Sequence, residues 1–253
     1  MHARRLAAGV LTAMVAGAAA LSGAVLAASA ASAAPAPVAA AGAATASGAS
    51  TLYSDAITTT HSWSVHYTSD STESDQTLVV SGDAGPASAS QTVLMGKGSI
   101  SILVIGGITY LKGNPAGLQN LAGLSASQAA EASGQWIEFS TDNAAFAAVV
   151  DGVRSQDVAK ELALKAPLSL GRSRTLDGQA VEAIDGTQTF GRTSQHVVLY
   201  VRAHGAHVPV EEDSVNAHGQ DTSAEHVIYS KWGEQVRPVA PTATISIGSI
   251  SAV

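Results

Sequence analysis

The sequence predicts an α+β domain in which short antiparallel strands build one sheet and a helical layer is inserted midway. Three observations predict it. Apolar residues alternate with period two at both ends of the folded part, tight-turn dipeptides join strand-like runs, and the spacing turns helical between Pro115 and Leu164.

The first strand is read from "HSWSVHYTS", where Trp63, Val65 and Tyr67 alternate with Ser62, Ser64 and His66. Two β-branched runs, "DQTLVVSGDAG" and "ASQTVLMGKG", follow with a turn near Gly82 to Pro86. In "SISILVIGGITYLKGNP", Gly106-Gly107 is expected to supply positive φ at both central positions of a hairpin turn. Ile100, Ile102 and Val104 share one face, and Leu103 and Ile105 make the other apolar as well, so this strand is covered on both sides or lines a cavity on one.

After Pro115, Leu118, Leu121 and Leu124 fall at helical spacing, and Ser125 caps a second short helix through Glu131. "QWIEFS" is a brief extended interval. Phe146, Val149, Val150 and Val153, then Val158, Leu162 and Leu164, mark one face of two further helices. Strands return from Leu168, with a tight turn at Asp177-Gly178, an alternating run through Val197, Leu199 and Val201, and a last strand in "AEHVIYS". About nine strands are expected in all.

The start of the chain reads as an export signal. Arg4 and Arg5 precede an uncharged apolar run from Leu6 to about Leu26, and Ala31-Ser32-Ala33 offers a small-x-small cleavage site. The run approaches the ~20 residues of a membrane-spanning helix, but its Ala/Gly composition and the cleavage site favour a signal peptide over residues 1–33. Residues 34–51, rich in Ala, Pro, Gly and Ser, read as a flexible linker, and 52–247 as one domain.

The sequence contains no cysteine, which excludes disulfides, thiolate metal sites and a cysteine nucleophile. Net charge is −7, or −9 without Arg4 and Arg5, and an acidic surface argues against nucleic acid and against electrostatic adhesion to anionic headgroups.

The candidate chemistry centres on "VVLYVRAHGAHVPVEEDS". His204 and His207 lie three apart beside Glu211, Glu212 and Asp213, which suggests a metal site. Their placement around Gly205 puts them at a hairpin tip, where neither a shared helical face nor second-shell support is expected. The acidic trio reads more simply as a solvated strand edge that resists aggregation. No G-x-S-x-G, H-E-x-x-H or phosphate-binding loop is present. A Ser–His–acid set gathered from distant positions stays open, because triads are geometric. No catalytic residue, metal or cofactor is assigned.

Five stretches, "ITYLKGN", "SGQWIEFS", "LDGQAVEAIDG", "LYVRAHGAHVPVEE" and "SKWGEQVRPVAP", occur in the order and approximate spacing of the actinobacterial LppX/LprA/LprF/LprG lipoprotein family. The resemblance spans about Trp63 to Pro241. It implies a strongly bent antiparallel sheet, a half-barrel, with helices on its concave face and an apolar cavity between, similar in architecture to the LolA/LolB carriers. It further implies a non-enzymatic carrier of acylated lipid or lipoglycan, monomeric and in transient contact with the envelope. The family carries a lipidated cysteine after its signal peptide and this sequence has none, so the expectation is a secreted or wall-associated protein that is not lipid-anchored. The wall positions this reading selects are Leu103, Ile105, Tyr110, Leu118, Leu121, Phe146, Val149 and Val150. The alternative is a structural or signalling ectodomain whose core is filled by its own side chains.

Overall fold

The computed structural model describes residues 39–73, 76–190, 193–218 and 221–250. The expected signal peptide lies outside the described residues. The described residues begin with a helix, α1 (Ala39–Ser62), and continue into β1 (Val65–Glu73), β2 (Gln76–Ala84), β3 (Ser88–Met95), β4 (Gly98–Ile105) and β5 (Ile108–Gly113). Short helices α2 (Pro115–Asn120) and α3 (Ala126–Glu131) precede β6 (Ile137–Ser140). A 3₁₀ turn (Ala144–Phe146) then leads into α4 (Ala147–Val150) and α5 (Ser155–Glu161). The chain closes with β7 (Lys165–Leu170), β8 (Arg174–Leu176), β9 (Gln179–Phe190), β10 (Thr193–Arg202), β11 (Pro209–His218), β12 (Asp221–Ser230) and β13 (Ile245–Ser246).

All of these strands join one open, curved sheet of 13 strands ordered β13-β6-β5-β4-β3-β2-β1-β12-β11-β10-β9-β7, with β8 also on β9. Pairing is antiparallel except that β13 runs parallel to β6 and covers its edge. Short pieces such as β8, of three residues, and β13, of two, are among the strands beyond the expected nine. Such lengths carry no period-two signal.

The sheet's two faces follow from alternation. In β4, Gly98, Ile100, Ile102 and Val104 are buried while Ser99, Ser101, Leu103 and Ile105 are half-buried. The buried phase continues through Val65 and Tyr67 of β1, Val80 of β2, Val93 of β3, Leu111 of β5 and Leu199 of β10, and the helices lie on it. The expected half-barrel with helices on one face is therefore present. Of the two tight turns, Asp177-Gly178 has positive φ at both positions (47° and 76°). Gly106 alone does so in its pair (φ 60°), the pattern of a turn that needs glycine only at its first central position.

The stretch expected as a flexible tether departs from that reading, being helical from Ala39 onward. Ala49, Ala56 and Thr60 are fully buried, and Leu52, Tyr53 and Ile57 pack beside them. These six positions follow the i, i+3, i+4, i+7 spacing of one helix face. Alanine gives the segment its helix propensity, and the small stripe lets α1 lie close on α5 and β7. Hydroxyls of Ser50, Thr51, Thr58, Thr59, Thr60 and Ser62 bond to carbonyls four residues back, which satisfies them within the helix.

Candidate binding site

The interior lies between the concave face of the sheet and the short helices. Its roof begins at α2, whose cap is local: the Asn114 side chain accepts from Gly117 N–H at 2.7 Å and from Ser99 N–H at 3.2 Å, tying helix and strand together. Gly117 touches β4 backbone to backbone, since a Cβ there would meet Ser99 O at 2.1 Å. The Ser125 cap is present in full, as a capping box with Gln128. Beyond β6, Phe146 rests on Phe139, ring centroids 4.8 Å apart.

Five of the eight predicted wall residues form this roof: Leu118, Leu121, Phe146, Val149 and Val150 all belong to the buried cluster. Leu118 has no accessible surface, so no water-sized void adjoins it. The roof rests directly on the floor in this structure. The other three, Leu103, Ile105 and Tyr110, occupy the opposite phase of β4 and β5, with Leu103 paired to Tyr110 across the hairpin. They lie on the outer face, separated from the roof by the sheet itself. A strand apolar on both sides gives the sequence no means of telling inner phase from outer.

Open volume is found at one end of the half-barrel. A cavity of about 860 Å³ is bounded by the end of α1 (Ser62, Trp63, Ser64), the β2–β3 turn (Gly85 to Ser88) and the strap after β12 (Trp232 to Val236). The strap is pinned to the sheet: Ser64 donates to Glu234 O, Gly233 N–H donates to Ser64 O at 2.9 Å, and the Ser88 hydroxyl donates to Val236 O at 3.0 Å. Trp63 is 40 % exposed on its wall. Trp232 donates its indole N–H to Pro209 O at 2.8 Å and packs on the core, 6.3 Å from the Tyr229 ring. Trp232 thus stands between this groove and the apolar interior. Sequence reasoning missed the cavity because three distant segments build it; the available signal was a pair of tryptophans next to small and proline residues.

Several polar groups in the interior are paired, whereas the fully buried Ser155 hydroxyl has no hydrogen-bond partner among the described residues. Gln91 donates to the Tyr67 hydroxyl at 2.7 Å, and burial pushes the Tyr67 phenol well above its usual value. The Tyr53 hydroxyl donates to Leu162 O and accepts from Leu164 N–H. Burial raises its pKa, the Leu164 contact lowers it, and the Glu212 charge raises it. Glu212 is 1 % exposed and accepts from the Tyr229 hydroxyl at 3.3 Å.

That placement corrects the reading of Glu211, Glu212 and Asp213 as a solvated edge. β11 is an inner strand between β10 and β12, and period two sends Glu212 inside while Glu211 and Asp213 face out. His204 and His207 lie in the turn around Gly205, where His207 Nδ1 sits 2.9 Å from Arg202 O. The structure instead gathers Glu211, Asp213 and His226, whose ligand atoms fall within 4.8 Å of one another. Arg174 pairs with Glu211 and stacks on Tyr200 at 3.6 Å, and His226 Nδ1 lies 2.7 Å from Asp213, so the group reads as a cross-strand ion-pair network.

No protein-family model matches the chain, and no curated protein is similar to it. Solved structures are. The crystal structure of LprF from Mycobacterium bovis aligns with a TM-score of 0.52 at 13 % identity, covering 78 % of this chain and 98 % of that one. The Mycobacterium tuberculosis lipoprotein LppX aligns with a TM-score of 0.47 at 15 % identity, covering 76 % and 98 %. At this identity the LprF likeness establishes the fold. Among the described residues no helix is long and apolar enough to cross a membrane.

Proposed function

We propose that the protein is a non-enzymatic lipid carrier of the cell envelope or its exterior, a divergent relative of the LppX/LprA/LprF/LprG lipoproteins. It takes an acylated lipid or lipoglycan as cargo, with acyl chains entering at the Trp63–Trp232 cavity and running under the roof of α2–α4. The observation that carries this reading is the groove itself: about 860 Å³, walled by Trp63 and by Trp232, whose other side packs on the apolar core. Its volume falls in the range of small-molecule sites. Each methylene withdrawn from water contributes about 0.8 kcal/mol, so one long chain supplies enough free energy for binding without any charged group. Since Leu118 and Leu121 now rest on the floor, cargo enters by displacing the roof.

The test is titration with a fluorescent fatty acid. Val149→Trp places a bulky ring where cargo would lie once the roof is displaced, and Trp63→Ala removes a wall of the cavity; both are expected to weaken uptake at least several-fold while the circular dichroism spectrum is kept. Undiminished uptake by both variants contradicts the route.

The packed roof favours one other reading, an ectodomain with a permanently filled core whose cavity takes a protein or cell-wall partner. In that case no fatty acid binds the unaltered protein.

A further inference from the structure

Among the described residues, the buried side-chain atoms without a hydrogen-bond partner belong to consecutive residues: Arg154 Nε and the Ser155 hydroxyl. Arg154 Nε keeps an ion pair, 3.8 Å from Asp157 Oδ2. The Ser155 hydroxyl has no charge to satisfy in that way, and its residue is fully buried. A buried hydroxyl in this state costs more than an apolar side chain of the same shape. Its surroundings hold it in place. Ser155 N–H donates to Gly85 O at 3.3 Å, and Gly85 lies on the rim of the Trp63–Trp232 groove. Two residues on, the buried Asp157 carboxylate pairs with Lys160 Nζ at 3.0 Å. On the other side, Val153 and the roof residues Val149 and Val150 belong to the apolar cluster, and Gly152 (φ 94°) turns the chain between α4 and Val153. Ser155 therefore stands where the rim of the groove meets the end of the roof.

We propose that the Ser155 hydroxyl donates a hydrogen bond to an ester carbonyl of the cargo, and so makes the protein selective for esterified chains over ether-linked ones. The inference rests on the carrier reading and names the linkage the carrier recognises. Cargo that enters at the groove and runs under α2–α4 passes Gly85 and then Ser155. The roof turns away at Gly152, while Ser155 stays held by Gly85 O and by the ion pairs of α5. A hydroxyl rotates to meet its acceptor. An ester carbonyl is a neutral acceptor, so it enters an apolar interior at lower cost than a carboxylate or a phosphate. Other interior hydroxyls are already engaged: Tyr67 accepts from Gln91, Tyr53 bridges Leu162 O and Leu164 N–H, and Thr60 donates to Ala56 O.

The test is displacement of the fluorescent fatty acid by dipalmitoylglycerol and by dihexadecylglycerol, which carries chains of the same length on ether links and has no carbonyl. In the unaltered full chain the ester lipid is expected to displace at a concentration roughly threefold or more below that of the ether lipid, the equivalent of one net hydrogen bond. Ser155→Ala is expected to abolish that preference by weakening ester binding, with ether binding unchanged. In the lipid-free protein the same substitution removes an unpaired buried hydroxyl, so the melting temperature is expected to stay equal or rise. Equal displacement by the two lipids in the unaltered protein, or an ester preference that survives in Ser155→Ala, overturns the proposal and leaves the carrier reading standing. A lowered melting temperature in Ser155→Ala places the hydroxyl's partner within the protein and overturns it as well. Binding of neither fatty acid nor either glycerolipid removes the carrier reading and this inference together.

Discussion

Over β7 and β10 the concave face is covered by one 24-residue helix, α1, whereas over β4–β6 it is covered by helices of six, six and four residues. A helix of α1's length can hold its own hydrogen bonds once its buried stripe is seated. Helices of four to six residues are far below the ~12–15 needed for independent stability and persist only by packing. The two covers also differ in how they are fastened. α1 is tied to the chain after α5 by the Tyr53 hydroxyl, which bridges Leu162 O and Leu164 N–H. The short helices rest on apolar contacts and are tied to the sheet at their flanks, by Asn114 to Ser99 and Lys97 and by Gly134 N–H to Gly113 O. We read α1 as the fixed cover of this sheet and the short helices, which hold the roof residues, as the displaceable one.

The comparison can be broken most directly at Leu118. Leu118→Ala removes the most deeply buried roof side chain and is expected to cost about 2–5 kcal/mol in urea unfolding. Amide exchange should then rise in residues 115–150 first, ahead of α1. Equal exchange in both covers contradicts their division into fixed and displaceable.

Gly117→Ala probes the same cover more gently. The added methyl meets the Ser99 backbone and lifts α2 from β4, for an expected loss of about 1–3 kcal/mol together with faster lipid uptake by stopped-flow fluorescence. Slower or unchanged uptake indicates that cargo does not pass under α2.

Tyr53→Phe acts on the fixed cover. Loss of the two hydroxyl contacts should cost about 1–2 kcal/mol and lower the melting temperature, with uptake kinetics as in the unaltered protein. A change in uptake rate would show that the two covers move together.

The smallest effect is expected at the floor shared by both covers. Tyr67 is raised above its ordinary value of 10.0 by burial. Below pH 10 both folded and unfolded chains keep the proton and the full stability is present. As pH rises above 10 the unfolded chain releases it first, so stability falls. Tyr67→Phe should flatten this alkaline slope by up to one proton in pH-dependent urea unfolding, and an unaltered slope removes Tyr67 as its source.

Much of the fold was legible because it rests on local rules. The β4–β5 hairpin, the Asp177-Gly178 turn, the Ser125 capping box and the buried phase of Val65 and Tyr67 are each specified within a few residues. α1 was not, although its stripe of Ala49, Leu52, Tyr53, Ala56, Ile57 and Thr60 stands in the sequence. Small residues between serines and threonines look like a tether, and only the surface of α5 and β7 makes them a face. The site was legible in part. Helical spacing selected the five roof residues, while alternation alone could not assign Leu103, Ile105 and Tyr110 to a side. Glu212 was read as solvated because burial of a carboxylate depends on strands that the sequence does not place beside it. The Trp63–Trp232 cavity joins positions far apart in the chain and has no local signature.

The proposed cargo is an acyl lipid held between the sheet and the displaced short-helix cover. Native mass spectrometry of the protein purified from its own host, with organic extraction of any added mass, tests it most directly. A releasable acyl lipid is expected in the unaltered protein, and a lower loaded fraction in Val149→Trp. A bare mass that stays unchanged after incubation with diacyl and triacyl lipids would contradict it.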